Sequence, residues 1–284
     1  MKRILLLIIA LALCFTMCSC ESLLKKAKEA VTGQEESQMP ADYITTIEGE
    51  QFTYELYEEY IKLIKYTAEE TEVVIPSEID DISVTVIGSL CFYDTKAKVT
   101  SVKIPDSVKK IEESAFYYAD SLTSIVIPDS VKSLGSRSFA WCNSLQSVTL
   151  SANLEEIPEY CFNHCVSLTE IDLSENIKTI GTRAFSYCEA LIEISVSQSI
   201  VEIGDLAFSS CTALEYASFE SETVDLGEKV FDSCEKIVVL ASENSMVYNY
   251  CAANGLRWSV SKDIEAIVIP NDQNVSVPDE IVSE

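Results

Sequence analysis

Five cysteines stand on one beat: Cys142, Cys165, Cys188, Cys211 and Cys234 each follow a phenylalanine by three residues. Cys91 and Cys161 stand one residue before such a phenylalanine, where other copies carry Ala115, Ser138, Ala184, Ala207 or Val230. Thiols in a row could hold a metal or pair as disulfides. A cysteine metal site needs close ligand pairs such as C-x-x-C, and none occurs. Cys161 and Cys165 are near in sequence but fill two different slots of one unit. Small residues fill the same slots elsewhere, so these thiols read as small buried hydrophobes. Disulfides along the row are the alternative, since the chain carries an export signal (below). Rungs ~4.8 Å apart fall within the permitted Cα range, but side chains pointing in parallel do not give the disulfide dihedral. No metal and no cofactor is expected.

Nucleophilic catalysis needs a base, and the chain has one histidine, His164. It stands two residues after a recurring phenylalanine, where other units have Tyr118, Trp141, Tyr187, Ser210 and Ser233. A hydrolase triad would have to be built there. No nucleophile elbow, phosphate loop or zinc motif accompanies it. Paired-carboxylate chemistry, as in a glycosidase, stays open, but no pair stands out among the acids. The expectation is a chain that is not an enzyme.

The same position suggests a contact surface instead. Tyr118, Trp141, His164 and Tyr187 put ring-bearing side chains on four successive units, and Tyr117 adds a fifth ring. Such clusters offer contact area with a polar handle and suit protein or sugar ligands. The alternative is that the rings only shield the loop packing beneath them. A second row, Val126, Thr149, Asp172, Ser195 and Ser218, is expected on the exposed side of strands. Glu170, Asp172 and Glu193 could share a calcium ion there, but a solvated acidic face is the simpler reading and the one expected.

These rows exist because the chain repeats. Phe92, Phe116, Phe139, Phe162, Phe185, Phe208 and Phe231 are spaced by one interval of 24 residues and then five of 23. Leu122, Leu145, Leu168, Leu191, Leu214 and Ile237 follow the phenylalanine by six, and Ile87, Ile111, Leu134, Ile157, Ile180, Ile203 and Leu226 precede it by five. Self-similarity at this period means stacked units, each burying its apolar face against its neighbours. A short strand is expected at the L-x-x-I-x-I run. A turn is expected at Leu134-Gly135, Ile180-Gly181, Ile203-Gly204 and Leu226-Gly227, where glycine would permit a positive φ. Glu112 and Pro158 break that glycine pattern.

Each unit reads roughly L-x-x-I-x-I-P-x-S-V-x-x-I-G-x-x-A-F-x-x-C-x-S; one copy, Leu122 to Ser144, is LTSIVIPDSVKSLGSRSFAWCNS. This resembles the BspA-type, or Treponema-type, leucine-rich repeat family, strongly over residues 71–240 and loosely over 41–261. The resemblance implies a leucine-rich-repeat solenoid of short parallel strands. It also implies a bacterial surface protein linked to adhesion, with no catalytic residues to carry over and no fixed ligand.

The flanks complete the expected organisation. MKRILLLIIALALCFTMCSC has a basic start and an apolar run too short to span a membrane as a helix. It reads as a lipoprotein signal over 1–19. Leu13 and Met17 are too large to precede a lipidated cysteine; Ser19 is small, so Cys20 is expected to carry the lipid, with an ordinary cleaved signal peptide as the alternative. Residues 20–40 read as a tether and 41–70 as a β-hairpin cap, with Phe52, Tyr54 and Leu56 alternating. The repeats follow over 71–241. A helix-and-strand cap is expected over 242–261, with a helix at 244–254 stopped by Gly255 and Leu256, Trp258 and Val260 alternating. Residues 262–284 form an acidic tail.

With 20 basic against 46 acidic residues the formal charge is −26. Such a surface repels nucleic acid and anionic lipid. The combined expectation is a lipid-anchored, non-enzymatic protein at the bacterial cell surface. Its partners would be host extracellular or microbial surface proteins or glycans. A structural coat or spacer without a ligand is the alternative.

Overall fold

The computed structural model describes residues 40, 42–93, 95 and 98–260; the signal, Cys20, nearly all of the tether and the acidic tail lie outside the described residues. The described chain begins with three antiparallel strands, β1 (Tyr43–Glu48), β2 (Phe52–Tyr57) and β3 (Ile61–Tyr66). The expected hairpin is β2 and β3, and β1 adds a third strand. Next come β4 (Glu72–Val74) and a tight hairpin of β5 (Glu78–Ile79) and β6 (Ile82–Ile87). Asp80 and Asp81 turn that hairpin at φ 51° and 64°. Two positive φ values are what a two-residue turn matched to strand twist requires.

From there each coil contributes two short strands. They run β7 (Ser101–Lys103) and β8 (Lys110–Ile111), β9 (Ser124–Val126) and β10 (Ser133–Leu134), β11 (Ser147–Thr149) and β12 (Glu156–Ile157). The later coils give β13 (Glu170–Ile171) and β14 (Thr179–Ile180), β15 (Glu193–Val196) and β16 (Glu202–Ile203), β17 (Tyr216–Phe219) and β18 (Asp225–Leu226), then β19 (Val238–Leu240). Odd-numbered strands pair in parallel with odd-numbered ones at one side of the coil, even with even at the other. Helix α1 (Met246–Asn254) and β20 (Arg257–Ser259) close the far end, β20 pairing in parallel with β19.

The second ladder corrects the expectation of a glycine turn. Gly135, Gly181, Gly204 and Gly227 follow its strands, and none has a positive φ; among the described glycines only Gly255, after α1, does. The repeat glycines instead allow coils to touch. A Cβ on Gly204 would lie 2.6 Å from the Thr182 nitrogen, and one on Gly181 would lie 2.5 Å from the Glu159 nitrogen. The glycine N–H continues the ladder, as in Gly181 N–H to the Ile157 carbonyl at 2.8 Å and Gly204 N–H to the Ile180 carbonyl at 2.7 Å. Pro158 has no N–H to give to Leu134. There the even-numbered ladder divides into one sheet ending at β10 and another beginning at β12.

The core is a column of phenylalanines. Phe92, Phe116, Phe139, Phe162, Phe185, Phe208 and Phe231 stack nearly parallel, with centroids 4.6, 5.0, 5.4, 5.5, 5.2 and 5.7 Å apart in order. The N-terminal cap extends the column: Tyr66 lies 5.6 Å from Phe92 and Phe52 lies 5.2 Å from Tyr66. A cap made of rings thus covers the apolar end that a bare solenoid would expose. At the other end Tyr250 of α1 accepts the Val230 N–H at 2.8 Å through its hydroxyl. Ser245 caps the start of α1 by accepting from the Tyr248 N–H, and Gly255 ends it at φ 66°. Val247 and Cys251 are its buried residues, whereas Met246, expected on the same face, is exposed.

Candidate functional site

The side of the coil that carries the phenylalanine is neither strand nor helix, yet it is bonded throughout. Its N–H groups alternate in use. Ser138, Ala140 and Cys142 donate backward within the coil, to Gly135, Arg137 and Phe139, closing four-residue turns. Arg137, Phe139 and Trp141 donate forward to the next coil, to the carbonyls of Glu159, Cys161 and Asn163. This alternation needs left-handed backbone two residues before and two after each phenylalanine. Ser114, Arg137, Tyr160, Arg183, Leu206 and Lys229 hold the first position, and Tyr118, Trp141, His164, Tyr187, Ser210 and Ser233 the second, all at φ between 53° and 64°. Left-handed backbone costs a non-glycine residue roughly 1–2 kcal/mol; here the inter-coil hydrogen bonds hold it in place.

The cysteines complete the same wall from inside. Each thiol three residues after a phenylalanine donates to the phenylalanine carbonyl of the previous coil. Cys142 reaches Phe116 at 3.2 Å, Cys165 reaches Phe139 at 3.2 Å, Cys188 reaches Phe162 at 3.3 Å, Cys211 reaches Phe185 at 3.1 Å and Cys234 reaches Phe208 at 3.1 Å. All eight described cysteines are free and buried. Burial pushes seven of the eight thiols upward, Cys161 to about 12, which suppresses the thiolate that any nucleophile or metal ligand must be; Cys234 at the end of the row is instead lowered, by its side-chain hydrogen bond with Cys211. Cys161 instead shares a 3.3 Å contact with the Ser138 hydroxyl. Among the described residues no three His, Cys, Asp or Glu side chains converge closely enough to hold a metal ion. Glu170, Asp172 and Glu193 therefore form no such group.

The left-handed position after the phenylalanine sends its side chain outward, and the structure joins the five candidate rings. Tyr118 stacks on Trp141 at 5.2 Å, Trp141 on His164 at 3.8 Å and His164 on Tyr187 at 4.2 Å, with planes within 10°. Tyr117 meets Tyr118 edge-on at 4.8 Å. Tyr118 and Tyr187 are 44% and 41% exposed, and Trp141 and His164 are half-buried between them. The rings so use most of their faces on one another and present edges to solvent.

Burial in this stack lowers the His164 pKa below the ordinary imidazole value of 6.5, and the nearby Glu189 carboxylate opposes the shift. A group depressed in the folded state leaves stability intact above the unfolded value and erodes it as pH falls toward the folded one. Because the chain has one histidine, one imidazole resonance reports the titration. Its NMR midpoint should lie below that of the urea-unfolded chain, and urea stability should fall with pH inside that window. A midpoint at or above the unfolded value would contradict the stacked neutral ring.

The other left-handed position holds a feature the sequence reading missed. The Arg137 guanidinium lies 4.6 Å from the Tyr160 ring centroid and that of Arg183 lies 5.9 Å from it. The spacing of these residues, two before each phenylalanine, was available in the sequence. What hid them is chemical variety, since the same column also contains Ser114 and Leu206.

Parallel strand ladders, coils of about 23 residues and a buried phenylalanine column define a leucine-rich-repeat solenoid. The BspA type leucine-rich repeat region matches in six copies across residues 43–122, 85–189 and 109–238, and the chain belongs to that family. Its structure is similar to that of a leucine rich cell surface protein from Faecalibacterium prausnitzii A2-165, at 26% identity and a TM-score of 0.64, covering 71% of this chain and 55% of that one. A leucine-rich repeat protein from Eubacterium ventriosum ATCC 27560 shares the fold at 21% identity and a TM-score of 0.60, covering 78% of this chain and 54% of that one. The chain thus spans just over half the length of either structure. No curated protein matches it in sequence. Family and fold are those of repeat scaffolds. Among the described residues no helix is long and apolar enough to cross a membrane.

Proposed function

We propose that the protein is an exported lipoprotein, anchored through Cys20, whose solenoid binds proteins or glycans at the bacterial surface in adhesion or microbe–host contact. The ring stack of Tyr118, Trp141, His164 and Tyr187, with Tyr117 beside it, is the contact surface. One observation carries this reading: the fold does not need the rings. Ser210 and Ser233 hold the same left-handed φ at the same position, and Ser210 N–H makes the same inter-coil bond, to the Asp232 carbonyl at 2.7 Å. The thiol and phenylalanine packing below Ser210 is likewise complete, with Cys211 fully buried. Shielding therefore does not explain four consecutive rings, and exposed aromatic area with polar tips is the usual material of binding hot spots. The printed description of the Faecalibacterium neighbour as a cell surface protein supports the location. Anchoring by diacyl or triacyl lipid at Cys20 would supply the two or more chains that stable attachment needs.

The test compares the purified full chain with a Tyr118→Ala, Trp141→Ala, Tyr187→Ala variant on immobilised matrix proteins and glycans, with fold checked by circular dichroism. Saturable binding that the folded variant loses is the expected result. Binding that the variant keeps would move the site to the strand face or the caps. No binding to any ligand would favour the spacer, in which the stack serves only as a lateral staple between coils.

A further inference from the structure

The ring stack has two ends, and they differ. At its N-terminal end Tyr117 packs edge-on against Tyr118, and Tyr93 lies 5.9 Å from Tyr117. At its C-terminal end the far face of Tyr187 meets no ring among the described residues: the next two rungs are Ser210 and Ser233. Their backbone continues the column unchanged. A ring at residue 210 would lie on Tyr187 at the 3.8–5.2 Å spacing of the rungs before it. Serine leaves that ring-sized place open.

We infer that this open place over Ser210 is a subsite for one uncharged pyranose ring, whose apolar face stacks on Tyr187. The inference rests on the proposed binding role of the stripe and names its ligand. Three features choose a sugar over an aromatic side chain of a protein partner. One wall is flat and aromatic, which fits the C–H face of a pyranose. The next rungs carry hydroxyl and carboxylate groups: Ser210, Ser233 and exposed Asp232, whose Oδ2 accepts from Ser233 Oγ at 3.2 Å. Such groups donate to and accept from the ring hydroxyls of a sugar, which a phenyl or indole does not offer. The formal charge of −26 opposes sialylated or sulfated glycans, which leaves neutral ones.

The test fills the place rather than emptying it. Ser210→Trp should fold, because Trp141 already occupies the equivalent position with the same backbone. It extends the stack by one ring and blocks the subsite while leaving every native ring present. The full-length protein, Ser210→Trp and Tyr187→Ala are probed on an array of galactose-, glucose- and mannose-terminated oligosaccharides with sialylated counterparts. The expected result is binding to a neutral glycan that each variant weakens by about tenfold or more, the scale of a hot-spot contact. Equal binding by Ser210→Trp, preference for the sialylated forms, or no glycan binding at all overturns the inference. The stripe itself would survive that outcome if the triple alanine variant still loses a protein ligand, so the two failures are told apart.

Discussion

Phe162→Ala should cost the fold about 3–5 kcal/mol, the usual cost of deleting a buried ring. Phe162 is fully buried and lies between Phe139 at 5.4 Å and Phe185 at 5.5 Å. The void left behind would be roofed and floored by rings. It could not collapse easily, because coils on both sides are fixed by backbone bonds such as Phe139 N–H to the Cys161 carbonyl and Phe162 N–H to the Ala184 carbonyl. Its position should also change the shape of unfolding. A solenoid is held by nearest-neighbour interfaces, so a weak central coil uncouples the two halves. Urea melts should show a lower midpoint and a broadened or two-step transition. Phe231→Ala, at the end of the column with the nearest spine ring, Phe208, at 5.7 Å, should cost less and leave one transition. Equal losses at both positions would mean that the column does not act as a continuous spine.

The second large effect separates two kinds of glycine. Gly204→Ala places a methyl 2.6 Å from the Thr182 nitrogen and 2.9 Å from the Gly181 carbonyl carbon, both main chain. Two coils must move apart, and overpacking of this sort costs about 1–3 kcal/mol or more. Gly255→Ala meets nothing within 4 Å and suffers only from φ 66°, a penalty of roughly 1 kcal/mol. The pattern of rescue is the sharper observable. Asparagine tolerates left-handed backbone, so Gly255→Asn should recover most of the loss, whereas Gly204→Asn should be worse than alanine. Thermal melts of the four variants decide it, and rescue at residue 204 would restore the conformational reading of the repeat glycines.

The repeat glycines show where the information in the sequence stops: they are close-approach positions without a positive φ. The interval of 23 residues sufficed to identify stacked units, because an apolar residue that returns at a fixed spacing can only be buried by its own copies. The phenylalanine column, the small slots filled by Cys142 to Cys234 and the helix-and-strand end before and after Gly255 follow from that logic. The outward row of Tyr118, Trp141, His164 and Tyr187 was legible for the same reason, as a polar-edged position held in register with a buried one. Other matters depend on contacts between coils, and no single unit encodes them. Glycine 204 is small because of where Thr182 lies, not because of its own φ. Whether the four rings stand apart or stack into one slab depends on the spacing of coils, which inter-coil hydrogen bonds set. The thiols could be recognised as buried, but their partner carbonyls lie 26 residues earlier in the chain. The repeat fixes which residues recur on each side of a coil; the distance between coils decides what those residues become to one another.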